Sequence, residues 1–335
     1  MKRLAGLLLA VIALAGCGGS DCGTRTLVVY SGREEELVAP LFERFEQETG
    51  VEVDVRYADS AELAATIAEE GGNSPADVFF AQDPGSLGSV DDQLTELTDT
   101  VLDRVDPQFR DSNGRWVGTS GRARVIAYNT DELTADEVPD SVFDLTDPKW
   151  KGKIGIPPTN ASFQAFVTAM RLDAGEERTK QWLEDVKEND PKFYEKNTPV
   201  VEAVASGEIQ LGLVNHYYLY LVKEEQPDAP IENKYLPGDD PGALVSIAGV
   251  GILESAEHAD AAERFVEFLL ADAQQRFYTD EAEEAEIPLV DGINLKPGVP
   301  TLDELANRGP DVDLSRFGDQ LEQTLELLNE TGYTS

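Results

Sequence analysis

The sequence is poor in the residues that build disulfide scaffolds and most zinc or hydrolase sites. It has two cysteines and two histidines among 335 residues, and both cysteines, Cys17 and Cys22, lie near the N-terminus. Hydrolase triads and typical zinc sites therefore lack their parts, and no disulfide framework can hold the body of the chain. Its stability must come from a hydrophobic core, and a hydrophobic content of 41% supplies one or two domains.

Basic residues are also scarce. Lys and Arg number 27 against 65 Asp and Glu, which gives a formal net charge of −38 spread along the whole chain. Nucleic acid and anionic membrane surfaces are disfavoured as partners, because both would be repelled. We interpret the charge as an adaptation to high salt, where screening shortens the repulsion to about 3 Å at 1 M. A cation-attracting surface is a compatible alternative.

Long apolar runs are absent, apart from a short one over residues 4–14 that follows two basic residues. This run is shorter than the ~20 residues of a membrane-spanning helix and is typical of a signal peptide. It ends in Leu-Ala-Gly followed by Cys17, which resembles a bacterial lipoprotein signal. The resemblance implies removal of residues 1–16, a lipid on the Cys17 sulfur and a tether over 17–25. The alternative is an ordinary secretory peptide with a chance cysteine.

Strand-like and helix-like patterns alternate along the rest of the chain, which predicts an α/β fold. Asp59-Ser60-Ala61-Glu62 resembles a capping box at the start of one helix. The β-rich runs 124–129 and 243–253 are expected to cross between two lobes with a ligand cleft between them. The predicted lobes are 26–124 with 248–300 for the first, and 125–247 with 301–335 for the second.

Two adjacent tyrosines, Tyr217 and Tyr218, stand where an apolar strand over 209–214 gives way to a helix over 217–225. Ligands bind outside the carboxyl ends of strands in open α/β sheets, and a strand-to-helix turn can bring neighbouring side chains to one side. Phenolate is a hard oxygen donor that suits a small, highly charged cation such as Fe(III), which would hold the phenol ionised. The alternative is two amphipathic tyrosines with their rings in the core.

Several short motifs occur in order along nearly the whole mature chain. They are Val29-Tyr30-Ser31-Gly32-Arg33, Phe45-Glu46-Gln47-Glu48-Thr49-Gly50, Pro75-Ala76-Asp77-Val78-Phe79-Phe80, Ser120-Gly121-Arg122-Ala123-Arg124-Val125, Pro148-Lys149-Trp150-Lys151-Gly152-Lys153-Ile154-Gly155, Asn215-His216-Tyr217-Tyr218 and Asp240-Pro241-Gly242-Ala243-Leu244-Val245. With these motifs the sequence resembles the ferric-ion-binding proteins, which are the solute receptors of bacterial iron(III) ABC importers. The tyrosine pair points to the iron-binding branch.

The resemblance implies a two-lobed, type II periplasmic-binding-protein-like fold, with mixed sheets flanked by helices. Its expected function is binding rather than catalysis: the protein would capture Fe(III) or a ferric chelate in the cleft and deliver it to an ABC transporter permease. We expect a monomer that meets the membrane only through its lipid anchor. It would face the periplasm or the cell exterior.

The resemblance also implies the ligands. Tyr217 and Tyr218 would bind Fe(III) from the second lobe. Where the family often has a histidine this chain has Glu34, with Glu35 next to it, and a carboxylate can substitute as a hard donor. Where the family often has a glutamate this chain has Gln82, so that anionic ligand is missing. The protein would then depend on a synergistic anion, namely phosphate, carbonate or citrate.

The anion is expected at the N-terminus of a helix, a position suited to anions. The matching residues are Asn160, Ala161, Ser162, Asn197 and Asn215. A simple helix cap is the alternative role for the first three.

Three further residues are assigned with alternatives. Arg122 and Arg124 could pair with the anion, or they could balance charge in an acidic protein. His216 could be a metal ligand, but we favour a role as a hydrogen-bond partner behind the ligands. Phe163 occupies the place where some members of the family have a third tyrosine.

Two other functions stay open at this point. The first is a receptor of the same fold for another solute, such as an oxyanion, thiamine or a polyamine. The second is a secreted metalloenzyme, for which Glu34, Glu35 and Asp83 offer carboxylates but no recognisable catalytic motif.

Overall fold

The computed structural model describes residues 26–238, 240–280, 285–306 and 309–334. The predicted signal peptide (1–16), the tether (17–25) and the lipidation site Cys17 lie outside the described residues. Within the described ranges, no helix combines the length and apolar character needed to cross a membrane.

Strands and helices alternate, which confirms the predicted α/β class. The strands are β1 Thr26–Ser31, β2 Glu52–Tyr57, β3 Val78–Ala81, β4 Trp116–Asn129, β5 Ile154–Ile156, β6 Lys192–Phe193, β7 Leu211–Asn215, β8 Ile231–Lys234, β9 Val245–Ile252 and β10 Ile287–Pro288. The helices are α1 Glu35–Thr49, α2 Ser60–Glu70, α3 Pro84–Gly88, α4 Asp99–Leu102, α5 Ala161–Ala174, α6 Glu176–Glu188, α7 Asn197–Ala205, α8 Tyr218–Glu225, α9 Ala259–Leu269, α10 Asp272–Asp280, α11 Leu302–Ala306 and α12 Phe317–Glu330.

Local sequence explains the first two helices. The apolar stripe of α1 buries Val38, Leu41 and Phe45, and the helix ends at Gly50, whose left-handed backbone (φ 69°) lets its N–H bond to the Glu46 carbonyl. Helix α2 begins at the predicted position, but the Asp59 side chain makes no capping hydrogen bond. The predicted capping box is therefore wrong, because the hydrogen bond expected from the Asp59 side chain is not made.

The strands join in the order β2-β1-β3-β9-β4-β7-β5-β6, with β8 and β10 also pairing with β4. Strands β1, β2 and β3 are parallel, connected through α1 and α2, whereas β9 runs antiparallel to β3 and β4. The predicted crossing run 124–129 is the second half of the longer strand β4. Its first half pairs with β9, and its second half pairs with β7 and β8.

The hydrophobic core is divided where β4 changes partners. Ala123 belongs to one cluster of buried residues, which includes Phe79 and Phe265, whereas Val125 and Ile126 belong to two further clusters. The lobe boundaries given above stay a prediction. Helix α12 contributes residues to both sides of that division. Its Phe317 lies in the cluster of Ala123, and its Leu328 lies in the cluster of Ile126.

Helix α12 lies unusually close to the end of helix α3. A Cβ atom at Gly318 would lie 2.3 Å from the carbonyl carbon of Gly88 at the end of α3. Backbone atoms cannot yield as the tip of a flexible side chain can, so any larger residue at Gly318 would push α12 away from α3. The paired glycines therefore allow α12 to pack closely on α3, and α12 also contacts α5.

The net charge of −38 leads to a prediction about stability. We expect the melting temperature to rise by roughly 5 °C between dilute buffer and molar KCl, because salt screens repulsion among the acidic side chains. Thermal unfolding of the iron-free protein measures this, with a neutral osmolyte as the control for excluded volume. A melting temperature that stays flat or falls would count against adaptation to high salt.

Candidate functional site

The tyrosine pair lies at the turn between β7 and α8. Strand β7 ends at Asn215, and Tyr217 already has helical backbone angles (φ −72°, ψ −22°). This turn brings both phenols to the same side: the Tyr217 hydroxyl donates to the Tyr218 hydroxyl at 3.2 Å, and the ring centroids are 4.4 Å apart. Tyr217 is buried and Tyr218 is half-buried. Two phenolic oxygens therefore converge on one point.

The residues predicted to hold an anion lie next to this pair. The Asn197 amide, at the start of α7, donates to the Asn160 side-chain oxygen at 3.1 Å, to the Ser162 hydroxyl at 3.3 Å and to the Tyr218 hydroxyl at 3.5 Å. Asn160 caps α5 by accepting from the Ser162 N–H at 3.0 Å, and Ala161 is the first residue of that helix. The tyrosine pair and these three polar residues, Asn160, Ser162 and Asn197, are called the pocket below. The positive end of the α5 dipole lies at this pocket.

Arg124 carries the positive charge of this pocket. Its guanidinium donates to the Ser162 hydroxyl at 3.3 Å and to the Asn215 side-chain oxygen at 3.4 Å. It also lies over the rings of Phe163 and Phe166, at 5.6 Å from each centroid. Phe163, at the place of the family's third tyrosine, is therefore a packing partner of the cation.

The charge of Arg124 is coupled to the tyrosine pair. Burial lowers the pKa of Arg124 to about 9, while the neighbouring Tyr218 and Tyr217 act to raise it. The guanidinium is therefore a cation at neutral pH. Its charge interacts favourably with phenolate oxygens at Tyr218 and Tyr217, which are the form of these side chains that binds a metal.

Arg122 has different partners. Its Nε lies 3.6 Å from the Glu286 carboxylate, and its Nη2 donates to the Gln82 carbonyl. The Glu286 carboxylate also accepts a hydrogen bond from each Nη atom of Arg33, both at 3.0 Å. Burial by itself would raise the pKa of Glu286, but Arg33 and Arg122 hold it below its usual range. Arg122 is thus an ion-pair partner of Glu286 in this structure.

Arg33 and Glu286 are the site-proximal residues that sequence reasoning missed. Glu286 closes an acid-rich run over 281–286, which looks like a solvated surface in the sequence. The available signal was indirect. Glu286 directly precedes an apolar strand, so its carboxylate was a candidate for burial, and a buried carboxylate needs a cationic partner.

The predicted first-lobe ligands are placed as follows. Glu34 is exposed at the start of α1, and Glu35 is exposed in its first turn, near Tyr57. The Gln82 side chain is half-buried, while its backbone N–H donates to the Ser60 hydroxyl at 2.9 Å. Among the described residues, no group of three or more His, Cys, Asp or Glu is placed to hold a metal.

His216 is buried beside the pair, and both of its ring nitrogens are engaged. The Ala123 N–H donates to Nδ1 at 3.2 Å, so the proton lies on Nε2, which donates to the Ala285 carbonyl at 3.0 Å. Burial lowers the pKa of His216 to about 4, so the ring is neutral. Its ring meets Tyr217 edge to face, with centroids 5.8 Å apart. His216 therefore meets Tyr217 by ring packing, while its ring hydrogen bonds go to backbone groups of Ala123 and Ala285.

Comparison with known proteins bears on the fold and the family. Residues 73–300 match the family described as bacterial extracellular solute-binding proteins. The chain is 32% identical over 97% of its length to a Fe(3+)-binding periplasmic protein of Serratia marcescens, and the match covers 96% of that protein.

Solved structures agree with this assignment. Iron-bound HitA from Pseudomonas aeruginosa is 31% identical with a TM-score of 0.85, covering 92% of this chain and 99% of that one. A Trichodesmium protein in complex with iron and citrate ligands is 25% identical with a TM-score of 0.77, covering 92% of this chain and 100% of that one. The predicted two-lobed, type II fold is thereby confirmed. The chain belongs to the bacterial extracellular solute-binding proteins, within the family of periplasmic ferric-ion-binding proteins.

Proposed function

We propose that this protein is the extracytoplasmic receptor of an ABC importer, and that it captures Fe(III) with Tyr217 and Tyr218. The observation that carries the proposal is the 3.2 Å separation of the two phenolic oxygens. In an octahedral site with metal–oxygen distances of 2.0–2.1 Å, adjacent ligand oxygens lie about 2.9 Å apart. The pair is therefore close to the spacing that one small, hard cation requires, and Fe(III) suits two phenolates.

The charges around the pair support a synergistic anion. Two phenolates leave one positive charge on Fe(III), and Arg124 adds another beside the pocket. The helix N-terminus at Asn160 and Ser162 and the amide of Asn197 supply donors in the same place. Phosphate, carbonate or citrate would balance the charge of Arg124 and supply further oxygen ligands to the metal. The Trichodesmium relative, described with iron and citrate, supports citrate as one candidate.

The remaining parts of the proposal concern location and delivery. A signal peptide over 1–16 and a lipid on Cys17 would hold the receptor outside the membrane, with 17–25 as its tether. The monomer would hand iron to a permease. The proposed role is binding, and Glu34 would complete the coordination from the first lobe.

Titration of the iron-free protein with ferric citrate tests the proposal. We expect a visible phenolate-to-iron charge-transfer band that saturates at one iron per chain, together with a rise in melting temperature, because a ligand that binds only the folded state stabilises it. Thiamine and spermidine serve as controls for other solutes of this fold. Absence of both colour and stabilisation at excess ferric citrate would refute iron binding.

A further inference from the structure

Two adjacent residues between α10 and β10, Ala285 and Glu286, contact both the tyrosine turn and the first-lobe loops. The Glu286 carboxylate forms ion pairs with Arg33 and Arg122, and the Ala285 carbonyl accepts a hydrogen bond from His216. We propose that this pair, here called the 285–286 clamp, is a positioning element that fixes Tyr217 relative to the loops carrying Glu34 and Gln82. The inference rests on the proposed function, because the positioned atom is an iron ligand.

The Glu286 half of the clamp holds the first-lobe loops. Arg33 forms a two-pronged ion pair with Glu286, and the next residue along the chain is Glu34. Arg122 approaches the same carboxylate and also donates to the carbonyl of Gln82. The Ser120 hydroxyl donates to Glu286 at 2.7 Å. One buried carboxylate is therefore linked through Arg33 to the residue before Glu34, and through Arg122 to the backbone of Gln82.

The Ala285 half holds the tyrosine turn. Ala285 has a left-handed backbone (φ 50°), which a non-glycine residue rarely adopts and which persists only where the surroundings enforce it. In this conformation its carbonyl accepts from His216 Nε2 at 3.0 Å. His216 is also tied to Ala123 twice, through its ring Nδ1 at 3.2 Å and its backbone N–H at 2.9 Å. The residue immediately before Tyr217 is thus held by these three hydrogen bonds, two to Ala123 and one to Ala285.

The expected consequence is tighter retention of iron. Hydrogen-bond partners that orient metal ligands typically change metal affinity by about 10–100-fold when they are removed. Tyr217 packs edge to face against the His216 ring, so a loss of the ring's anchors would let the phenolate turn away from the metal. Both the energy of the charge-transfer band and the rate of iron release should report this movement.

The test compares His216→Phe with His216→Gln in protein loaded with ferric citrate. Phenylalanine keeps a ring but removes both ring hydrogen bonds, whereas the glutamine amide keeps a donor near the position of Nε2. We expect His216→Phe to release iron to excess EDTA about 10–100-fold faster, with a shifted charge-transfer band, and His216→Gln to stay within ~3-fold of wild type. The matched control is His258→Phe, which removes the 3.1 Å contact of the other histidine with Asp77 and should leave release and colour unchanged.

The results show whether the hydrogen bonds of the 285–286 clamp, or only the packing of a side chain at position 216, hold Tyr217 in place. Wild-type release and colour in His216→Phe would overturn the inference, and so would equal defects in His216→Phe and His216→Gln. If His216→Phe does not fold, Glu286→Gln decides instead: faster release supports the clamp, and unchanged release overturns it. A wild-type protein that never colours would instead refute the proposed function.

Discussion

Replacing either tyrosine of the pair by phenylalanine is expected to lower the affinity for Fe(III) by at least about 100-fold and to bleach the charge-transfer colour. Each substitution removes an anionic oxygen donor, and even the loss of an indirect partner typically costs about 10–100-fold in metal affinity. The fold should persist, because phenylalanine keeps the packed ring of Tyr217 or Tyr218 and removes a hydroxyl, whose contacts include the 3.2 Å bond between the two tyrosines and, for Tyr218, the 3.5 Å bond from Asn197.

The measurement is a ferric citrate titration of Tyr217→Phe and Tyr218→Phe, followed by the visible band and by competition with EDTA. Tyr220→Phe is the matched control. Tyr220 lies on the same helix, α8, and its hydroxyl donates to the Pro297 carbonyl at 3.2 Å, so its loss should change neither colour nor affinity. Full colour and affinity in both single variants would place the iron site elsewhere in the protein.

Sequence reasoning located the tyrosine turn because its argument depended only on local geometry. A strand must end and a helix must begin between Asn215 and Tyr218, and that turn is what brings two adjacent phenols together. The asparagine and serine positions came from the family resemblance; the structure places Asn197 against Asn160, Ser162 and Tyr218, and their role in binding an anion stays a prediction. Composition alone could not have joined Asn160 to Asn197, whose side chains meet across a separation of 37 residues.

What the sequence could not show depends on long-range pairing. The first half of β4 was missed because Gly118, Ser120 and Gly121 lower its strand propensity, and its pairing with β9 and β10 makes it a strand. Glu286 was missed because its partner Arg33 lies 253 residues away. At the predicted capping box, the Asp59 side chain makes no capping hydrogen bond, while the neighbouring Ser60 hydroxyl accepts the Gln82 N–H from across the fold.

The second large effect expected is a dependence of iron binding on a small anion. Fe(III) held by two phenolates keeps one positive charge, and the buried cation Arg124 lies beside it. In buffer freed of phosphate, carbonate and citrate, we expect the affinity for Fe(III) to fall by about 10–100-fold, since charge-assisted hydrogen bonds contribute about 1.5–3 kcal/mol. Restoring each anion in turn, while titrating with iron, measures the dependence and ranks the anions.

Asn197→Ala should reduce this anion effect, because the Asn197 amide reaches Asn160, Ser162 and Tyr218 in the pocket. The matched control is Asn189→Ala. Asn189 is also a buried asparagine, but its amide donates to the carbonyls of Leu145 and Asp147 instead. We expect the control to lose stability without losing its response to anions.

The first-lobe ligands complete the prediction. Glu34→Ala should weaken iron binding, because the carboxylate would cancel the last charge on the metal. Gln82→Ala should change it little, because the contacts of Gln82 with Ser60 and Arg122 are made by its backbone, which alanine keeps. The amide of Gln82 offers at most a neutral oxygen. Equal affinity with and without any small anion, together with an unaffected Glu34→Ala variant, would show that this account of the coordination is wrong. The tyrosine pair would then have to bind iron with water as its main additional ligand.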